Sequence, residues 1–506
     1  MILNSREVGK LALLKFLIQQ DGFVCKEVIF AKFDISLSTL KRYVSSLNED
    51  LQDIKEFNQM KIIDKRGSYC FDNTTPFNGY YVIKKMNLGY HLNSLNFQLF
   101  QKIFSSSIRH ISDLAETLSI SMPYVYKLLL EANQFLAPFY IKIEYSKNID
   151  KIFISGSSKN IRLFETYFFW NVNQGIEWPF ENITLDEVYQ CFNEDEIKTI
   201  FSVSASKQSK FLYSLAVIHH IYPSTRKELV LEEPFLNTLA VFKSVQDLSL
   251  PLVRLLNTSY PTIDDPKKMK NETLFFNLTC RVFSSYRDTE EVQEKIGKKL
   301  FRLNNELIYY CKELIAALFI EFPELKKNLD YNEIKFKLMY FFSLYFANIL
   351  YIHFDSSSMR DFIPGNQESQ TIDSPIFIKG KNFFDNFIAQ HPFTDSDKIS
   401  DSHLNLAYKL IHSFLSQLEK THLTVYIQFS KNMFGESYIH SQLYKLFGKE
   451  SIVVVDNIKN ADIVISDFYE QRYKDENYFH FDDVENKDSW NKLFSFVHKH
   501  QLSSFY

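Results

Sequence analysis

Glycine is scarce: 12 of 506 residues, about a third of the roughly 7% share usual in globular proteins. That leaves little material for phosphate-cradling loops, and no G-x-G-x-x-G, G-x-x-x-x-G-K-[ST], H-E-x-x-H or G-x-S-x-G occurs. Cysteine is also sparse. Cys25, Cys70, Cys191, Cys280 and Cys311 are far apart and form no C-x-x-C pair, so neither a disulfide framework nor a metal site is expected, and buried free thiols are the default. Long apolar runs are missing too. Residues 338–354 come nearest, but Ser343, Asn348 and His353 interrupt them, which predicts a buried helix rather than a membrane span. Arg6, Glu7 and Lys10 break up the first 15 residues, so no secretory leader is expected and a cytoplasmic protein is. No enzyme, cofactor or metal is implied.

What is present is a 45% hydrophobic chain rich in Phe (49) and Tyr (29), enough for several cores. Lys and Arg number 57 against 61 Asp and Glu, but residues 1–165 hold 21 against 16 and the remainder 36 against 45. A basic front on an acidic body fits a nucleic-acid reader joined to a sensing or oligomerising module. The aromatic excess is read as codon bias.

Val8, Leu11, Leu14, Leu17 and Ile18 recur at helical spacing, residues 26–33 fit a second helix, and Asp34-Ile35-Ser36 reads as a turn. A third helix follows from Leu37. Leu40, Val44, Leu47 and Leu51 form its buried stripe, Ser36 is placed to cap it, and Ser38, Thr39, Lys41, Arg42 and Ser45 face outward. This is the pattern of a helix-turn-helix whose last helix enters the major groove. Residues 61–71 (KIIDKRGSYCF) predict two strands around a turn at Lys65-Arg66-Gly67, a wing with a basic tip.

The pattern recurs. Leu92-Asn93-Ser94 repeats Leu3-Asn4-Ser5 at an offset of 89, and residues 121–127 stand where 36–42 stood, at an offset of 85. Residues 111–118 supply a middle helix, Pro123 suits a first helical turn, and Ile141, Ile143, Ile152 and Ile154 alternate as a second wing. Ser121, Tyr124 and Lys127 are the expected contacts there, with Glu131 also exposed, so this copy should add less phosphate affinity than the first. In the first copy, Lys41, Arg42, Lys65 and Arg66 should meet phosphates or bases, and Ser36, Ser38 and Thr39 phosphates or base edges.

From Ile161 to about residue 415 the pattern is helical. Two predicted helix ends share His, then Ser five and Arg seven residues on: His219, Ser224 and Arg226, and His353, Ser358 and Arg360. That hints at two related bundles, with loops near residues 255–275 and 361–376. Neutral imidazole is the side chain suited to accept a phosphoryl group near neutral pH, which makes His219, His220, His353 and His412 candidates. His219-His220 is a poor metal half-site, since adjacent helical residues face apart. After residue 421, residues 423–429, 452–455 and 462–466 read as strands and 436–447 as a helix with Ile439, Leu443 and Leu446 inward. This predicts a small α/β domain with a parallel sheet. Its first strand-to-helix loop, residues 430–436, has neither Cys nor His, so interaction or dimerisation is expected of it rather than phosphoryl relay.

This order of parts resembles the Mga/AtxA/RofA-type virulence regulators of Gram-positive bacteria, over essentially the whole chain and most specifically at residues 34–47 and 421–468. The resemblance implies a mainly α, multidomain protein. Two winged helix-turn-helix domains would span residues 1–75 and 76–160, two helical-bundle regulation domains of the sugar phosphotransferase system (PTS) 161–275 and 276–418, and an α/β domain like the permease B component (EIIB-like) 419–506. It further implies binding to double-stranded promoter DNA, a homodimer formed through the carboxy-terminal domain, and control by histidine phosphorylation from PTS phosphocarrier proteins. RNA polymerase is a further implied partner; a membrane is not. His219 or His220 fits the first regulation domain, and His353 or His412 the second. The Lys431 loop departs from permease B domains in lacking the phosphorylatable Cys. Competing readings are a PTS-regulated RNA-binding antiterminator, which would begin with a short β-rich module, and a DNA-bridging protein without a sensor.

Overall fold

The structure is a computed structural model. It describes every residue except 1–2, 21, 106–109, 147–150, 202–203, 225–227, 284–287, 329, 353–373, 393–398, 417–421, 432–433, 450, 469–476, 482 and 506. The side chains of 199–201, 205–206, 234, 327–328 and 502–505 are likewise outside it. The described chain is mainly helical and forms two compact units. Unit 1 comprises Met1–Lys312, Lys335–Ser369 and Asp397–Ser402, and unit 2 comprises Glu313–Ile334, Gln370–Ser396 and His403–Tyr506.

In unit 1, α1 (Ser5–Ile18) opens on a reciprocal cap in which Asn4 accepts from the Glu7 amide and Glu7 from the Asn4 amide. After β1 (Val24–Cys25) and α2 (Lys26–Phe33), Asp34 turns the chain with φ +48°, a left-handed value that Asp tolerates. Then α3 (Leu37–Asp53) buries Leu40, Val44, Leu47 and Leu51, the stripe predicted from spacing. β2 (Lys61–Lys65) and β3 (Ser68–Asp72) form a hairpin whose turn places Arg66 and Gly67 at φ +57° and +83°, the pair of left-handed residues a tight two-residue hairpin requires. β1 pairs with β3 and makes the wing three-stranded, which the sequence reading missed. α4 (Gly79–Asn93), also unanticipated, lays Val82, Met86 and Tyr90 onto the same core.

The second copy consists of α5 (Leu95–Phe104), α6 (Ile111–Thr117), α7 (Met122–Leu136), β4 (Ile141–Ser146) and β5 (Lys151–Gly156). Its core is aromatic. Phe97, Phe100 and Phe104 of α5, with Phe135 and Phe139, pack at ring separations of 5.1–6.5 Å against Phe164 and Phe168 of α8 (Ser158–Asn173). The aromatic excess is therefore used in packing, and the core of this copy draws on α8 beyond residue 160.

The chain continues as α9 (Leu185–Tyr189), α10 (Glu194–Phe201), α11 (Ala205–Ile221), α12 (Glu233–Val245), α13 (Leu250–Ser259), α14 (Pro266–Val282) and α15 (Glu290–Leu300). α16 (Glu306–Glu321), mostly in unit 2, α17 (Glu324–Asn328), wholly in unit 2, and α18 (Tyr331–Ala347), mostly in unit 1, follow. The loop expected over 255–275 is confined to 260–265, because Pro266 starts α14 and Ser259 ends α13. Two buried ion pairs tie unit 1 together. Arg162 of α8 meets Glu272 of α14, and Arg281 forks onto Asp288 at 2.6 and 3.2 Å, with Tyr340 of α18 donating to Asp288 at 2.7 Å. Gly297 of α15 lies so close to α18 that a Cβ there would sit 1.9 Å from the Phe336 carbonyl oxygen. Among the described residues no strand occurs between 157 and 422, and no helix is long and apolar enough to cross a membrane.

Unit 2 contains α19 (Pro375–Gln390) and α20 (Asp401–Leu415), the latter mostly within it, and a parallel sheet of β6 (Leu423–Gln428), β7 (Ile452–Val454), β8 (Ile463–Ser466) and β9 (Tyr478–His480) in the order β7-β6-β8-β9. α21 (Gly435–Phe447) and α22 (Lys487–Phe505) cover it. Leu446 is 56% exposed, against expectation: the buried row of α21 steps by four through Gly435, Ile439 and Leu443, so Phe447 rather than Leu446 continues it. The thiols also depart from expectation. Cys25 is exposed at the start of α2 and Cys70 half-buried, while Cys191, Cys280 and Cys311 are buried.

Candidate nucleic-acid interface

The two predicted recognition helices start alike. Ser36 caps α3 by accepting from the Thr39 amide at 3.2 Å, and its hydroxyl also meets those of Ser38 and Thr39 at 2.9 and 3.1 Å. Ser121 stands in the same place before α7, with Pro123 in the first turn, but its side chain makes no capping hydrogen bond. Ser36, Ser38, Lys41 and Arg42 are exposed, and Thr39 is half-buried. Lys65 and Arg66 are exposed at the turn of the first wing, where Asp64 holds the Gly67 amide at 3.0 Å. Ser121, Tyr124 and Lys127 are exposed, and Lys127 lies 3.9 Å from Glu131.

The repeat has a structural counterpart that sequence reasoning overlooked. Asn48 of α3 donates to the Ile62 carbonyl at 3.0 Å and accepts from the Ile62 amide at 2.7 Å, so one side chain brackets one peptide position of the wing. Asn133 of α7 does the same to Ile143, at 2.9 and 2.7 Å. The two Asn lie 85 residues apart, the offset of Ser36 and Ser121, and that coincidence was the available signal. Helix and wing are thereby held as one rigid reader in each copy. Behind α3, Asp50 accepts from Lys10 of α1 and from Tyr90 of α4, fixing the recognition helix from two sides. Burial and the Asp50 carboxylate both push the Tyr90 hydroxyl well above the ordinary tyrosine range.

The candidate histidines fall in different environments. His219 is buried near the end of α11, its ring 5.1 Å from that of Tyr260, with Nδ1 lacking a hydrogen-bond partner. Burial lowers its pKa, partly countered by Glu187. His220 is half-buried, with Nε2 donating to the Phe104 carbonyl at 2.8 Å and Nδ1 2.9 Å from the Asn182 amide nitrogen. It thus joins α11 to the end of α5 in the second winged copy. In unit 2, His412 of α20 lies against Phe377, with Nε2 3.4 Å from the Ser374 hydroxyl. His353 and Arg360 lie outside the described residues, as does Arg226.

At the end of β6, where an anion would bind in a fold of this kind, the Asp467 carboxylate accepts from the Ser430 amide and hydroxyl and the Lys431 amide at 2.8–3.0 Å. The chain supplies its own anion there.

Residues 81–169, which take in α5–α7, the second wing and most of α8, match the Mga helix-turn-helix domain. No curated protein matches the chain. The match covers the copy whose Ser-started helix and Asn-bracketed wing repeat those of the first. This segment is similar to the Mga helix-turn-helix domain, and the match supports an Mga-type, DNA-binding transcriptional regulator.

Proposed function

We propose that the protein binds double-stranded promoter DNA through both winged copies, with α3 and α7 entering major grooves and the wings lying on the flanking backbone. The observation that carries this reading is the repeated construction: two Ser-started helices 85 residues apart, each bracketed to its wing by an Asn at the same position. In the first copy Lys41, Arg42, Lys65 and Arg66 neutralise phosphates, and Ser36, Ser38 and Thr39 supply hydroxyls to phosphates and base edges. In the second, Ser121, Tyr124 and Lys127 occupy the corresponding face.

The regulatory half of the reading is homodimerisation through residues 419–506 and phosphorylation by PTS phosphocarrier proteins, with RNA polymerase as a downstream partner. Exposed Phe434, Tyr438, Leu446 and Phe468 on the α/β domain support the first. For the second, His220 offers a physical route. A phosphoryl group on Nε2 removes the donor that holds the Phe104 carbonyl and adds roughly −1.5 to −2 charges to a cleft also lined by Glu165 and Glu181. Both effects loosen α11 from the second winged copy. His219, His353 and His412 are the other candidate acceptors. The test offers the full chain labelled duplex DNA and structured RNA, with and without phosphoenolpyruvate-driven phosphorylation. Preference for duplex DNA, altered by phosphorylation in the parent but not in His220→Gln, supports the account. Preference for RNA overturns the DNA reading.

A further inference from the structure

α3 and α7 occupy equivalent positions but present different chemistry. At the 85-residue offset, Leu37, Lys41 and Ser45 of α3 correspond to Met122, Tyr126 and Leu130 of α7. Those three are 39%, 44% and 62% exposed, and they form a row at spacing i, i+4, i+8. Such a row runs along the helix for about 12 Å, the length of three to four base-pair steps at roughly 3.4 Å each. Tyr126 is held edge-on to Tyr145 of β4, with ring centroids 5.9 Å apart, so the row is braced against the wing. The flanking cation Lys127 stands 3.9 Å from Glu131 and 5.9 Å from the Tyr124 ring centroid, which leaves the face poorer in net charge than that of α3.

An exposed apolar row needs an occupant, and its place in the fold favours duplex DNA over a protein. α7 stands where α3 stands, in the segment that matches the Mga helix-turn-helix domain, and the last helix of a helix-turn-helix is the one that enters the major groove. Lys142 of β4 is exposed and lines one hollow with Leu130. The major groove of B-DNA offers one apolar group, the 5-methyl of thymine. We propose that the second winged copy reads thymine methyl groups through Met122, Tyr126 and Leu130, while the first copy reads through charged and hydroxyl side chains. The inference rests on the DNA-binding reading above and adds which base feature the second copy selects.

The test uses the full chain and duplexes that it enriches from a random pool. Each duplex is remade with deoxyuridine for thymidine, which removes only the methyl groups, and affinity is measured by fluorescence anisotropy across a salt series. Burying a methyl is worth about fourfold in Kd, so uracil duplexes should bind about fourfold more weakly per methyl lost, with the salt slope unchanged. Met122→Ala with Tyr126→Ala should abolish the thymine preference, while Tyr126→Phe with Met122→Leu should retain it. Tyr126→Lys should weaken it and steepen the salt slope by about 0.9, the contribution of one added phosphate contact. Circular dichroism confirms that the variants are folded. Equal affinity for thymine and uracil duplexes, with a salt slope present, overturns this inference and leaves DNA binding standing. Failure to enrich or bind any duplex overturns the DNA reading itself. If the Ala variants keep the thymine preference but lose self-association, the row is a protein-docking face and the inference is wrong.

Discussion

The Asn bracket gives the sharpest structural prediction. Asn48→Ala removes two hydrogen bonds, of 2.7 and 3.0 Å, from the Ile62 peptide position, and Ile62 itself is buried. Each neutral bond is worth about 1 kcal/mol net, and a stranded buried partner costs more, so the first wing should open more easily by about 2 kcal/mol. That corresponds to roughly 30-fold faster exchange of the Ile62 amide hydrogen. Hydrogen exchange of the full chain, read by mass spectrometry on peptides covering residues 61–72, measures it directly. Asn133→Ala should do the same to the Ile143 amide and leave the first wing protected. Asn48→Asp separates the two bonds, since a carboxylate can still accept from the Ile62 amide but cannot donate to its carbonyl. It should fall between parent and Ala. DNA affinity should drop with exchange protection, because Lys65 and Arg66 ride on the hairpin that Asn48 fixes. Exchange at Ile62 within twofold of the parent in Asn48→Ala would refute the idea that this side chain positions the wing.

Three further outcomes follow from unit 1. His91 is buried in α4 and burial pulls its pKa down to about 4, against a hydrogen bond to the Asn87 carbonyl that raises it. Because the folded value lies below the unfolded value of about 6.5, the unfolded chain binds the proton first on acidification. Stability present above pH 6.5 is therefore lost as pH falls toward 4, by about 2 kcal/mol at pH 5. Comparing urea midpoints of the parent and His91→Gln at pH 7.5 and 5 should show a smaller pH dependence in the variant. Arg281→Met strands the fully buried Asp288 carboxylate and should cost about 3–5 kcal/mol, whereas Arg281→Met with Asp288→Leu should recover most of it; thermal unfolding of both distinguishes loss of a charge partner from loss of packing. Gly297→Ala drives a methyl into the Phe336 carbonyl, and a melting temperature equal to the parent's would contradict the close approach of α15 and α18.

The amino-terminal copies were legible because their signals are local. Leu40, Val44, Leu47 and Leu51 sit at helical spacing, Ser36 and Ser121 start the helices, and Lys65-Arg66-Gly67 carries the left-handed turn the hairpin needs. What escaped depends on distant partners. β1 is two residues long and exists through pairing with β3. β9 is three residues long and joins the sheet through β8. α4 contains two glycines and buries side chains around much of its circumference, so no single apolar stripe marks it. The Asn bracket reaches across 14 and 10 residues, and the His220 contact across 116; polar partners at such separations leave no periodicity in the sequence. Leu446 shows the opposite failure, where a helical pattern admitted two continuations and Phe447 took the buried place.

The central claim, that α3 enters DNA with its basic first turns, is tested most directly by the salt dependence of duplex binding in Lys41→Ala with Arg42→Ala. Each phosphate neutralised contributes about 0.9 to the slope of log affinity against log salt concentration. The account predicts weaker binding and a slope shallower by about 1.8, with helical content unchanged. Affinity and slope equal to those of the parent would contradict it.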